Sequence, residues 1–123
     1  FKQPAGPAGI WTETVISTAL IDPAGLAAGD IDRDGDVDLV VAEHNVMGKA
    51  GGKLMILENL DGRGTSWRPR TVSAENKHYH GLVLADINGD GDLDILCGGW
   101  SQNPETGATG NHVLLFDNGA INR

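Results

Sequence analysis

Laid against itself at an offset of 56 residues, the sequence repeats. Trp11 falls on Trp67, Ser17 on Ser73, Gly25 and Leu26 on Gly81 and Leu82, and the stretch DIDRDGDVD (Asp30 to Asp38) on DINGDGDLD (Asp86 to Asp94). Across residues 11–43 against 67–99, 10 of 33 positions are identical. A period of this length signals a repeat architecture, and it constrains the fold more than any local propensity.

The segments between the Asp-rich loops are short, rich in Val, Ile and Leu, and interrupted by Gly and Pro, which predicts strands and argues against helices. Eight are expected: Trp11 to Ser17, Leu26 to Ile31, Asp38 to Glu43, Lys53 to Asn59, Arg68 to Ser73, Gly81 to Ile87, Asp94 to Gly98 and His112 to Asn118. Several of them, "LVV", "LMIL", "LDIL" and "VLLF", are apolar at consecutive positions, as suits strands covered on both faces. Stacked, radially arranged sheets provide that cover, and a four-stranded unit of this size matches a propeller blade. The expected fold is therefore all-β, with blades of a β-propeller completed by oligomerisation or by further blades of a longer chain. Residues 1–10 form an N-terminal segment, 11–23 an outer strand of a shared or neighbouring blade plus a linker, 24–73 a complete blade, and 74–123 a second blade with three strands.

Charge points to a cation. Of 17 acidic residues, nine are the aspartates of the two loops, which leaves eight acids against the nine basic residues of the chain. The excess is thus local, and no basic stripe suggests nucleic acid. The single cysteine, Cys97, allows no intrachain disulfide and no paired zinc or redox motif; its apolar neighbours predict burial. No apolar run approaches the length of a membrane span, and the start FKQPAGPAG lacks the apolar region of a signal peptide, so a soluble chain, mature or cut from something larger, is expected.

The loops have the chemistry of a hard-cation site. Calcium takes six to eight oxygen ligands, and alternate positions of a tight loop direct successive carboxylates inward. Asp30, Asp32, Asp34 and Asp38 fit that role, as do Asp86, Asn88, Asp90 and Asp94, while Asp36 and Asp92 are expected to offer backbone carbonyls and turn their side chains outward. Gly35 and Gly91 fall where the chain turns sharply and a positive φ is needed. An EF-hand loop opens with the same pattern but requires a Glu at its twelfth position and an exit helix; here the twelfth positions are Val41 and Cys97 and strands follow. The plain alternative is a pair of solvated Asp-Gly turns.

The pattern Asp-x-Asp/Asn-x-Asp-Gly-x-x-Asp followed by an aliphatic strand resembles the FG-GAP or VCBS repeat of integrin-alpha-like propellers. The segments after Trp11 and Trp67 and the turn ENLDGRGTSW (Glu58 to Trp67) are similar to the VCBS group. The resemblance implies propeller blades and two calcium sites. It leaves activity open, because adhesion receptors, lectins, polysaccharide lyases and sugar dehydratases all use this repeat.

Residues present in both repeats read as scaffold, so unrepeated polar and aromatic residues are the ligand candidates: His44, His78, His80 and Trp100. The segment HYH sets His78 and His80 on one face of a strand, as a metal or catalytic pair or as solvated strand-end histidines. Trp100 is expected to stack on a sugar or, in preference, to cover a blade edge. No GxSxG, HExxH, GxxxxGK[ST] or GxGxxG motif occurs. The leading expectation is a noncatalytic, calcium-stabilised module presenting loops to a glycan or protein; the alternative is part of a carbohydrate-active lyase or dehydratase. A secreted or cell-surface setting, where calcium is abundant, is expected.

Overall fold

The computed structural model describes residues 11–44, 52–102 and 105–119. Its strands are β1 (Pro23–Gly29), β2 (Asp38–Glu43), β3 (Gly52–Asn59), β4 (Trp67–Ala85), β5 (Asp94–Gln102) and β6 (Thr109–Phe116), with no helix among the described residues. Each pairs antiparallel with the next, in the order β1-β2-β3-β4-β5-β6. The ladder divides at β4. Residues 67–77 pair with β3 and residues 77–85 with β5, with a register shift between His80 and Val83 and a positive φ of 53° at Gly81. The chain thus forms a four-stranded and a three-stranded antiparallel sheet, the blade-like division that the repeat predicts.

Two strand expectations change. Arg68 to Ser73 and Gly81 to Ile87 are joined in the one long strand β4, because the intervening HYH segment keeps pairing with β5. Trp11 to Ser17 forms no strand beyond an isolated bridge residue at Thr12. A strand forms only by pairing along a sheet edge, and in this segment, among the described residues, only Thr12 pairs. Trp11 accordingly lies 57% exposed, whereas its repeat partner Trp67 opens β4 and donates its indole N–H to the Gly64 carbonyl at 3.0 Å.

The core lies where the two sheets face each other. Val40, Ala42, Leu54 and Ile56 of the first sheet meet Tyr79, Ile95 and Cys97 of the second, with Ile31 between the loops and Val72, Leu82, Leu84, Leu93, Leu114 and Phe116 packed around them. Strands β2 and β3 are buried at nearly every position, as their unbroken apolar runs require. Strand β6 instead alternates, and Val113 stands 86% exposed on its free face. The repeated glycines Gly25 and Gly81 meet where β1 passes β4: a Cβ on Gly25 would come within 3.3 Å of the Gly81 backbone nitrogen. Their repetition therefore records a close approach of the two blades and needs no ligand to explain it.

Candidate functional site

The Asp-rich loops precede β2 and β5 and share one backbone conformation. At the fourth loop position Arg33 has φ 64° and Gly89 φ 81°; at the sixth, Gly35 has 97° and Gly91 89°. Side chains hold these turns from within. Asp32 Oδ1 accepts from Asp34 N at 3.2 Å and Asp34 Oδ1 from Asp36 N at 3.0 Å, and the second loop repeats both bonds from Asn88 to Asp90 N at 2.9 Å and from Asp90 to Asp92 N at 2.8 Å. Asp30 and Asp86 each reach across to the sixth-position glycine N–H, at 3.1 and 3.0 Å.

The ninth-position aspartates do most to position the loops. Asp38 is buried, and its carboxylate accepts the Ile31 N–H at 3.1 Å on one oxygen and the Asn59 N–H at 2.9 Å on the other. Asp94 does the same with Ile87 at 3.0 Å and Asn118 at 2.9 Å. Each clasps its loop entry to the end of a strand two positions away in the sheet. The asparagines extend the clasp: Asn59 Nδ2 donates to Val37 O at 3.2 Å, and Asn118 Nδ2 to Ile31 O, in the other loop, at 2.9 Å. The fixed offset of 56 hides this pairing, since Asn59 and Asn118 lie 59 residues apart; the related segments "EN" and "DN" at the ends of β3 and β6 are its sequence signal.

The two loops differ in how their oxygens converge. Carboxylate oxygens of Asp30, Asp32 and Asp38 lie within 4.8 Å of one another, the one such acidic group among the described residues. Asp30 Oδ1 within it is buried with no hydrogen-bond partner. An all-oxygen group with an unpaired buried acceptor suits a hard cation. Burial, opposed by the Asp34 N–H and reinforced by the Asp38, Asp34 and Glu58 carboxylates, raises the Asp32 pKa above its ordinary value. In the second loop Asp86 Oδ1 accepts the Gly89 N–H at 2.7 Å, so the acceptor that is unpaired at Asp30 is occupied there, and the Asn88 amide donates to Asp90 Oδ2 at 3.0 Å and to Asp117 Oδ1 at 3.3 Å.

The seventh-position side chains do not turn outward. Asp92 is buried and accepts Arg33 Nη1 of the other loop at 2.7 Å, tying the blades together. Asp36 lies over the β3–β4 turn, where a Cβ on Gly62 would come within 3.1 Å of its Oδ2. Both find neighbours that the sequence of a single loop does not contain.

At the other end of the strands, the structure brings all four unrepeated ligand candidates together. His44 follows β2, His78 and His80 lie on β4, and Trp100 is on β5. The His44 and His80 rings are 4.0 Å apart, His44 and His78 5.6 Å, and His78 stacks on Trp100 at 4.1 Å with planes only 8° apart. Trp100 therefore packs on a histidine of the adjacent strand. Between the two histidines Tyr79 is fully buried and shares a 2.6 Å hydrogen bond with Ser73 Oγ, which sends His78 and His80 to one side. Burial, then the nearby His44 and His78, lowers the His80 pKa below its ordinary value. Asp22 belongs here too, with Oδ2 4.0 Å from His44 Nδ1; no motif marked it.

Fold and loops together define an all-β repeat module of two antiparallel sheets. Residues 45–97, which include β3, β4, the second Asp-rich loop and the start of β5, match the family model described as an FG-GAP-like repeat. That match bears out the resemblance carried by the second loop, and the first loop lies outside it. No curated protein and no solved structure matches the chain. Among the described residues no helix is long and apolar enough to cross a membrane.

Proposed function

We propose that the chain supplies two blades of a calcium-stabilised β-propeller and acts as a binding scaffold for a glycan or a protein in a secreted or cell-surface setting. The observation that carries the calcium reading is the Asp30, Asp32 and Asp38 group with the unpaired buried Asp30 Oδ1. Asp34 completes the first ligand set; Asp86, Asn88, Asp90 and Asp94 form the second once the Asn88 amide turns its oxygen inward. Calcium neutralises carboxylates that otherwise repel one another, and so couples loop order to metal binding. Thermal melts in millimolar calcium and in EDTA test this: calcium raises the midpoint, and superimposed curves exclude it.

The blades need company. On the outward face of the second sheet Val83, Leu96 and Leu115 lie in one cross-strand row, with Val113 beside them, and Val83, Val113 and Leu115 are exposed. By the repeat, the equivalent row of the first sheet is Ala27, Val40 and Ile56, whose Val40 and Ile56 are buried in the core against the second sheet. Further blades, from other copies of the chain or from the rest of a longer propeller, cover such a face; two, three or four copies give four, six or eight blades, within the usual propeller range. Light scattering after gel filtration reads the assembly, and a monodisperse monomer defeats the self-assembly route. A carbohydrate-active lyase or dehydratase is the second reading, favoured by the convergence of His44, His78, His80 and Trp100. Eliminative cleavage of uronate polymers that is lost in His80→Ala supports it, and glycan-array binding without turnover supports the scaffold.

A further inference from the structure

Three histidines converge at the end of the blades opposite the acidic loops, and neither the family match nor the calcium reading explains them. We propose that His44, His78 and His80 form a site for a borderline divalent transition ion, for which zinc is the probe.

The hydrogen bonding around the rings is the first support. His78 Nδ1 is hydrogen-bonded to the His44 backbone carbonyl. A carbonyl only accepts, so Nδ1 carries the proton and Nε2 keeps its lone pair. A histidine that binds a metal ordinarily has its other ring nitrogen engaged in this way, by a carbonyl or a carboxylate. His44 Nδ1 has the Asp22 carboxylate nearby, with Oδ2 at 4.0 Å, a charge contact longer than a hydrogen bond. One ring thus has a hydrogen-bonded outer partner in place, and a second has a carboxylate close by.

Rigidity is the second support. His78 is flanked by the parallel Trp100 ring, and the buried Tyr79 fixes the strand on which His78 and His80 sit. His44 is held by its backbone N–H, which donates to Asp22 O at 2.9 Å. The ring nitrogens are less tightly gathered than the oxygens of the Asp30 group, so an ion entering between rings 4.0 and 5.6 Å apart turns His44 or His80 about its side-chain torsions. Imidazole nitrogen favours zinc, copper or nickel, whereas the oxygen-only loops favour calcium, so two kinds of ion partition to opposite ends of one module. Three protein ligands leave a fourth position open on zinc.

The test is calorimetric titration of zinc chloride into the whole protein held in saturating calcium, so that the acidic loops are occupied and their behaviour is read separately from the calcium melts. One zinc binds per chain, His78→Ala and His80→Ala each weaken it more than about 100-fold, and Asp22→Asn weakens it about 10- to 100-fold, the loss usual for an outer-shell partner. Imidazole nitrogen NMR on the unsubstituted protein provides a second measurement that does not depend on a variant folding: stoichiometric zinc moves the His78 Nε2 resonance. An unmoved Nε2 resonance, or a zinc isotherm unchanged in the folded His78→Ala/His80→Ala protein, overturns the site.

Discussion

Asp38→Asn separates the two jobs that one carboxylate performs. The side chain is 1% exposed, and its two oxygens accept backbone N–H groups of Ile31 and Asn59. An amide of the same shape retains one acceptor and presents an NH2 to the other N–H. One buried donor then loses its partner and faces a second donor, a change worth about 1–3 kcal/mol. At roughly 4 °C per kcal/mol for a chain of this size, the midpoint falls by about 4–12 °C. This loss persists in EDTA, because it belongs to the backbone clasp and not to the ion. In calcium the variant loses in addition the metal contribution, about 2.7 kcal/mol when free calcium is a hundredfold above Kd. Asp34→Ala is the control: Asp34 is exposed and accepts a single N–H, from Asp36, so in EDTA its midpoint stays within about 1 kcal/mol of the unsubstituted protein. Thermal and urea unfolding of both variants, with and without EDTA, give the four numbers. If Asp38→Asn unfolds with the unsubstituted protein in EDTA, the clasp is not a source of stability and the reasoning fails.

Further outcomes follow from the same contacts. Asp34→Ala and Asp90→Ala each remove one of the two calcium equivalents seen by calorimetry; retention of both equivalents in either variant argues that the loop binds through other atoms. Arg33→Ala loses the ion pair to Asp92 yet keeps a side chain in the left-handed region, whereas Arg33→Gly relieves that conformation, so the glycine variant is the more stable by about 1 kcal/mol in urea unfolding. Equal midpoints for the two show that the loop does not hold Arg33 under strain. In zinc-free buffer with saturating calcium, His80 titrates by NMR below its ordinary 6.5. Its lowered folded pKa means that the unfolded chain takes up the proton first, so its contribution to stability is full above 6.5 and is lost as pH falls from there through the folded midpoint. A His80 midpoint at or above 6.5 contradicts the packing of His44 and His78 against it.

How much was legible beforehand depends on the range of the interaction concerned. Strand β2 begins and ends where its pattern predicts, because Asp38 closes the loop before it and a run of consecutive apolar residues fills it. Glycines at the sixth loop position adopt the expected positive φ, since the turn is set by a few neighbouring bonds. The fate of Trp11 to Ser17 was illegible for the opposite reason: its amino acids suit a strand, but a strand also needs an edge to pair with.

The sequence by itself determined the repeat, the two loops with their turns and the all-β character, which are carried by local patterns of residues along the chain. Tertiary structure alone decided what each side chain meets. It turned Asp92 inward to Arg33, carried Asn118 to the carbonyl of Ile31, gathered oxygens in one loop and not the other, and joined His44 to His78, His80 and Trp100 across three strands. Such partners are set by how two sheets pack face to face and by register across β4, and neither distance nor orientation between residues on different strands is written in the spacing of either strand.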